Sequence, residues 1–470
     1  MQKITVEEID AIYAQQVANT WQVKQTSIAQ RTTWLGNLKQ IIRIKEEEIK
    51  AAIYKDFRKS PIETETTEIL ASLLEIDLFI KNLKRWAKPK SVNSSLLFAS
   101  TKAKLHYEPK GNTLIITPWN YPFQLPIVHL VASIAAGNTV ILKLSESTPH
   151  INAVINDIIS NLFERKHVAV MVGEVEETTH LLSLKFDHIH FTGSPNVGKI
   201  IMAAAAKNLS AVTLELGGKS PAFIDKSVNL RETVKNIIWA KFVNMGQTCI
   251  APDYLLIDKN IAADFEKTIQ QEILSAFGTS AISSSDLARI INEKQYDRLA
   301  SYVENLEASS AEWIVKGENN RDQLFIHPMV VKNMPMNSPI MQDEIFGPIL
   351  PIIYYERLQD ALEIVARKEK PLALYIFSKD KQYQHRVLQH TTAGGTTIND
   401  AMIHIIHPAL PFGGVNNSGI GQSLGIYGFK TFSHERAVLE AKYFPMSKMF
   451  WYPYTSRTEQ VLSFFKKIFV

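Results

Sequence analysis

The 470-residue chain contains one cysteine, Cys249. A single thiol can neither close an internal disulfide nor build a thiolate zinc site. No run of 18 apolar residues occurs, so no segment reads as a membrane-spanning helix. The first thirty residues lack the apolar stretch of a secretory signal, and the expected location is the cytoplasm. Charge of one sign is also scarce. The 51 Lys and Arg against 47 Asp and Glu leave a net +4, and no basic run is interleaved with aromatics. That balance speaks against a nucleic-acid binder. What remains, 46% hydrophobic and 21% charged, is an ordinary globular composition. The length corresponds to roughly three domains.

Residues 1–90 carry helical periodicity, as in KQIIRIKEEEIKAAIYKDF and TEILASLLEIDLFIKNLKRW, and read as surface helices over something larger. From Ser91 to Ala103 small polar residues break that pattern, and Lys102, Lys104 and His106 alternate with apolar neighbours, which predicts a hairpin. Beyond Gly111 short β-rich runs (NTLIIT, TVILKL, HVAVMVG, DHIHFTG, AVTLEL) alternate with helical stretches. Parallel neighbours need crossovers, so this texture predicts an α/β unit with helices on both faces of a parallel sheet. Ligands in such sheets sit beyond the carboxyl ends of the strands, which directs attention to the loops after Thr117, Leu144, Gly173, Gly193 and Leu216. A second alternation, from SPAFID to GGTTIND, predicts a second α/β domain, followed by a glycine-dense stretch, PFGGVNNSGIGQSLGIYGF.

Four loops could carry chemistry. FTGSPNVGKI follows a strand and opens a helix, with Ser194 placed to cap it and Pro195 suited to its first turn. Gly193 lets a phosphate approach the helix amino end. The stretch Gly193–Lys199 fits G-x4-G-K, but Ile200 stands where a P-loop needs Ser or Thr, and G-x-G-x-x-G is absent, so the loop is equally well explained by helix packing. Cys249, in NMGQTCIAPDY, lies between a helix and a strand among flexible polar neighbours, a better place for attack than for packing. Glu215 ends an apolar strand before two glycines, as either a satisfied capping group or a buried general base. Asn120, in TPWNYPF, either donates to an oxyanion or closes a turn. The histidines of DHIHFTG (His188, His190) and HIIHPAL (His404, His407) read as packing or surface residues, and no metal site is expected.

The motifs PWNYP, ILKLSE, FTGSPNVGK, LELGGKSP, GQTC, DEIFGP and LPFGGVNNSG occur in the order found in the aldehyde dehydrogenase superfamily. Together with the helical amino-terminal segment, the resemblance covers nearly the whole chain. GQTCIAPDY, the short amino terminus and the FSHER ending are most similar to the class 3, fatty-aldehyde branch. The resemblance implies a Rossmann-type NAD-binding domain (1–90 and 107–216), a catalytic α/β domain (217–399) and a small β oligomerisation arm (91–106 and 431–445). A loop near the active site (400–430) and an aromatic tail (446–470) complete it. It implies Cys249 as nucleophile, Glu215 as the base that activates water, and Asn120 with the Cys249 backbone N–H as the oxyanion hole. For the cofactor it implies Lys143 and Glu146 on the adenosine ribose and Gly193, Ser194 and Gly198 at the pyrophosphate. Glu344 and Phe346 would grip the nicotinamide ribose and ring, and Trp119 and Leu216 would complete the cradle. The expected reaction is oxidation of a medium- or long-chain aliphatic or aromatic aldehyde to its acid. NAD is the expected cofactor, with some NADP use, because the Glu146 carboxylate repels a 2′-phosphate. A homodimer is expected.

This sequence departs from the family at Leu144, where Pro is usual, at Asn416, where Gly is usual, and at Ser423–Leu424, where class 3 members have a Tyr-His pair. The last two positions bear on substrate preference. Rival readings are a CoA-acylating relative, which a retained Glu215 argues against, an inactive binding relative, and a cofactor-free cysteine hydrolase. The tail holds nine aromatics between Ala441 and Val470. Its apolar face, including Val461, Leu462, Phe464 and Phe465, fits docking on the core or a subunit partner, with peripheral membrane contact as the alternative.

Overall fold

The computed structural model describes residues 4–93, 98–443 and 445–469. Three sheets organise the chain. In the first, the strands Asn112–Ile116, Thr139–Leu144, Val168–Val172, His188–Gly193 and Ala211–Leu216 run parallel, with Asn112–Ile116 central. The short strand Gly419–Ile420 closes one edge, antiparallel to Ala211–Leu216. The strand residues are largely Val, Ile and Leu, as a sheet covered on both faces requires. The crossover helix Gln124–Ala136 is buried along its whole length, largely apolar, and ends at Gly137 in the left-handed conformation. The second sheet has seven strands between Pro221 and Ile398, parallel except for Glu312–Val315 at one edge. The third is an antiparallel arm of Lys90–Ser91, Thr101–Pro109 and Ser433–Ala441.

The helix after Gly193 starts as the sequence predicts. Ser194 is its extended N-cap and accepts from the Val197 N–H at 3.4 Å, and Pro195 occupies the first turn. The predicted hairpin is a strand pair, Lys90–Ser91 on Thr101–Pro109, and part of its connection (94–97) lies outside the described residues.

The amino-terminal helices form the outer layer that the sequence predicts, and that layer closes the core. Leu35, Leu38 and Ile42 of one, and Ile76, Phe79 and Leu83 of another, are fully buried in a core shared with both α/β sheets. Their polar faces reach solvent, which is what the sequence pattern reports, but their apolar faces complete the main core. One expectation needs correction: the described residues of the tail do not dock on the core. Its helix Ser456–Phe469 holds Phe465 against Phe450 of the preceding turn, while Trp451, Tyr452, Tyr454, Leu462 and Phe464 face solvent. No helix among the described residues is long and apolar enough to cross a membrane.

Candidate active site

A cavity of about 1810 Å³ opens at the carboxyl ends of the first sheet and continues over the second. Its lining brings together Trp119, Asn120, Gly193, Ser194, Glu215, Leu216, Cys249, Glu344 and Phe346. Lys143, Glu146 and Gly198 are not part of that lining. Lys143 and Glu146 pair with each other at 3.4 Å, at the end of the adjacent strand. Gly198 packs on the strand below, where a Cβ would stand 2.7 Å from the Leu216 side chain.

Cys249 owes its position to a strained turn. Asn244 and Met245 adopt left-handed backbone angles (φ 52° and 54°), and Gly246 follows at φ 72°. The Gln247 amide then pins the loop, donating to the Asn244 and Arg289 carbonyls and accepting from the Ile291 N–H. Thr248 bonds the Tyr121 hydroxyl at 2.7 Å. The half-buried thiol that results is pushed up by burial, and the carboxylates of Glu344 and Glu215 push it further.

Asn120 is held from both ends of its amide and backbone. Its Nδ2 donates to the Gln247 carbonyl at 2.9 Å, and its own carbonyl accepts from Asn244 Nδ2 at 2.7 Å. One N–H of that amide is used here and the second is left for a ligand. The loop carrying it is anchored from below by a fully buried ion pair. Glu68 meets Lys59 at 2.9 Å and accepts from the Phe123 and Gln124 N–H groups at the start of the crossover helix.

Glu344 and Phe346 come from the segment 340–346, which another buried cation fixes. Lys219 pairs with Asp253 and donates to the carbonyls of Ile340 and Asp343. Asp253 in turn accepts from the Ile345 N–H at 2.9 Å. Burial and the Asp253 charge push Glu344 up to about 8, against the pull of a Gly218 backbone bond and of Lys219 and Arg298. A Cβ on Gly217 would stand 2.0 Å from the Glu344 carboxylate, so a side chain there would displace that carboxylate. The rings of Trp119 and Phe346 meet edge to face at 5.6 Å.

Glu215 is buried at the end of its strand, between Thr192 of the parallel neighbour and Gly419 of the antiparallel one. Ser423 donates to its carboxylate, and His129 Nε2 lies 3.4 Å from Oε2. Burial alone would push the carboxyl up. His129 first, with His190 and Ser423, outweighs it and holds Glu215 down at about 2. The sequence reading placed His190 among packing residues and did not single out His129. Both come from elements far away in the chain, and the crossover and sheet register bring them to Glu215.

The chain matches the Aldehyde dehydrogenase family model over residues 1–438. The chain belongs to the aldehyde dehydrogenase family. A similar relative is the 4,4′-diaponeurosporen-aldehyde dehydrogenase of Staphylococcus aureus, 40% identical over 95% of this chain and 96% of the relative. Another is the dimeric NADP-preferring aldehyde dehydrogenase of Rattus norvegicus, 39% identical over 88% of this chain and 91% of the relative. The solved structure of the substrate-bound state of Staphylococcus aureus AldH superposes with a TM-score of 0.92 at 39% identity, covering 97% of this chain and 99% of that one. The protein is therefore an oxidoreductase acting on aldehydes with a nicotinamide dinucleotide as cofactor.

The residues present fit that cofactor. The helix amino end at Ser194 and Pro195 meets the cavity beside Gly193, where a Cβ would stand 2.5 Å from the Phe191 ring. The pair of Trp119 and Phe346 rings and the Glu344 carboxylate line the cavity nearer Cys249.

Proposed function

We propose that this enzyme oxidises a medium- or long-chain aliphatic or aromatic aldehyde to the carboxylic acid through a thioester on Cys249. The observation that carries this reading is the convergence of Cys249, Asn120 and Glu215 on one cavity. The Cys249 thiol loses its proton to solvent, and the thiolate, a strong nucleophile, adds to the aldehyde carbon. The free N–H of the Asn120 amide and the Cys249 backbone N–H stabilise the negative charge that develops on oxygen. A bound nicotinamide dinucleotide supplies the hydride acceptor for the oxidation step. Glu215 then takes a proton from water, hydroxide adds to the thioester carbonyl, the C–S bond breaks, and the acid leaves with Cys249 restored as thiolate.

Lys143 and Glu146 would hold the adenosine ribose, Gly193, Ser194 and the helix amino end the pyrophosphate, with Gly198 setting how closely that helix lies on the sheet. Glu344, Phe346, Trp119 and Leu216 would hold the nicotinamide end. We read NAD as the preferred cofactor, since Glu146 disfavours a 2′-phosphate, although its exposure screens that repulsion. Leu74, Leu125, Val128, Trp239, Ile405 and Leu424 give the cavity an apolar side that suits a hydrophobic aldehyde. The subunit arrangement we read is a homodimer through the β arm, whose edge strand Ser433–Ala441 leaves Leu439 exposed.

The test is NADH formation at 340 nm with a panel of aldehydes and both nucleotides, with and without CoA. Wild type should turn over without CoA. Cys249→Ser should lose at least ~1000-fold of the rate, because it replaces the nucleophile. Glu215→Gln should release about one equivalent of NADH per site and then stall. CoA-dependent acyl-thioester formation would replace this reading with the acylating one, and turnover of amides without nucleotide would replace it with a hydrolase.

The exposed tail has its own partner in this reading, an anionic membrane surface. Between Lys442 and Val470 stand five cations (Lys442, Lys448, Arg457, Lys466 and Lys467) and one acid, Glu459. The excess positive charge of the chain, +4, therefore resides entirely in the tail. It accompanies exposed Trp451, Tyr452 and Tyr454, residue types that favour the water–lipid boundary.

A further inference from the structure

We propose that His129 is the positioning residue for Glu215, holding the base as a carboxylate in its buried place so that the acyl-enzyme can be hydrolysed. This inference rests on the reading of Glu215 as the deacylation base and adds the group through which that base is kept ready.

The geometry is a layered one. Glu215 and His129 are both buried, with Nε2 of the imidazole 3.4 Å from Oε2 of the carboxylate. Behind His129 lies the ring of His190, centroid to centroid 3.9 Å, and behind that the ring of Phe432 at 5.7 Å, nearly parallel to it. His190 is fully buried and neither of its ring nitrogens has a partner among the described residues. Burial, the largest cause, with His129, His188 and Lys110 nearby, holds its protonation well below the usual range, so it stands as a neutral aromatic plate. His129 is thus set between a carboxylate at its edge and an aromatic face behind it. On the other side of the base, Ser423 donates to Oε1. Oε1 thereby accepts from Ser423, and Oε2, which His129 faces, accepts from the Thr192 hydroxyl at 3.4 Å.

The same three residues have ligand atoms within 4.8 Å of one another, which raises the question of a metal ion. The two imidazoles lie as a stack, centroid to centroid 3.9 Å.

Other charged groups face the pair. Glu75 comes from the amino-terminal helix Leu70–Trp86. Burial pushes it up to about 7, although the Gly425 N–H and His129 pull it down. Lys110 and His188 lie beyond His190 and oppose protonation of that ring. On the cavity side Cys249 feels the Glu215 charge, and Glu344 lines the same cavity.

With His129 in place, Glu215 is ionised across the working range, so water activation does not fail on the acidic side. Without it, the burial that remains drives the carboxyl upward, and the protonated acid cannot accept a proton from water. The acidic limb of deacylation should therefore move up in pH. The experiment uses the full chain and a radiolabelled aldehyde. Rapid quenching follows decay of the acyl-enzyme from about pH 5 to about pH 9, and stopped flow follows the NADH burst. In wild type the decay rate should show no acidic limb above about pH 5. His129→Gln should keep a full NADH burst, because acylation does not need the base, while its acyl-enzyme decays at least ~10-fold more slowly near pH 6 and recovers as pH rises. A merely structural role would slow decay equally at every pH.

A wild-type limb near or above about pH 6 would overturn the proposal without any variant, which covers the case in which His129→Gln does not fold. An unshifted limb in His129→Gln would overturn it as well. Glu215→Gln separates the two readings. If its acyl-enzyme decays normally, the assignment of Glu215 as base fails. If it stalls while His129→Gln keeps the wild-type profile, only the role of His129 fails.

Discussion

Burial and two carboxylates act on the Cys249 thiol in the same direction, while backbone bonds at Cys249 and Ile250 oppose them only in part. Around neutral pH the resting side chain is therefore the thiol. Glu215 is the converse case, a buried carboxyl held ionised by His129, and Glu344 is a third, lifted to about 8 by burial and Asp253. These environments separate groups that differ little in water, which fits the proposed pairing of a proton acceptor with a nucleophile that is quiet until needed. The sign for Cys249 follows directly. Raising pH converts thiol to thiolate over the alkaline range, so alkylation of the free enzyme by iodoacetamide should accelerate about 10-fold per pH unit from about pH 6 to about pH 9. The measurement is loss of activity against time at each pH. A plateau below about pH 8 would mean an acidified thiol and a missing positive partner.

The turn that presents this thiol concentrates strain in three consecutive residues, Asn244, Met245 and Gly246, all at positive φ. Gly246 has no alternative. A Cβ there would stand 2.4 Å from the Gly347 carbonyl oxygen, which belongs to the segment that presents Phe346. Gly246→Ala should therefore displace both the nucleophile loop and the 340–346 segment. A loss of about 2–4 kcal/mol of stability, read by urea unfolding, should accompany a fall in kcat. An unchanged unfolding midpoint would show that the two segments are not locked together. At this scale much was legible from sequence. The β-rich runs from Asn112 to Leu216 are strands, and Ser194 and Pro195 start their helix, because these signals are local in the chain. The positions of Cys249, Glu215 and Asn120 at element ends were legible for the same reason. The partners of Glu215 were not. His129 faces it only because the crossover helix packs on the sheet, and His190 only because register sets Thr192 opposite Glu215. Nothing local marks a histidine in an apolar run as one that holds a base. The tail misled for a related reason, since an apolar helical face announces that something covers it without saying what.

For the molecule as a whole, that uncovered face has a charge as well as a pattern. Residues before Lys442 carry equal numbers of cations and acids, so no general attraction of the enzyme to an anionic surface follows from its body. The tail alone combines a net positive charge with exposed aromatics, and its helix ends in Lys466 and Lys467. Each cation near an anionic lipid surface contributes about 1 kcal/mol, falling with distance over a Debye length of ~8–10 Å. Aromatic insertion adds a part that salt does not screen. Co-sedimentation with vesicles should distinguish these contributions. Wild type should pellet with vesicles containing about one-third phosphatidylserine and bind less to neutral phosphatidylcholine, with binding reduced but not abolished at ~0.5 M salt. Lys466→Glu with Lys467→Glu should lose the salt-sensitive part, and Trp451→Ala with Phe464→Ala the part that survives salt, while both variants keep turnover on a short water-soluble aldehyde. Equal pelleting of all three proteins, or none with either lipid, would end the membrane reading. A change of mass in light scattering for the Trp451→Ala, Phe464→Ala variant would assign the same face to a second subunit instead.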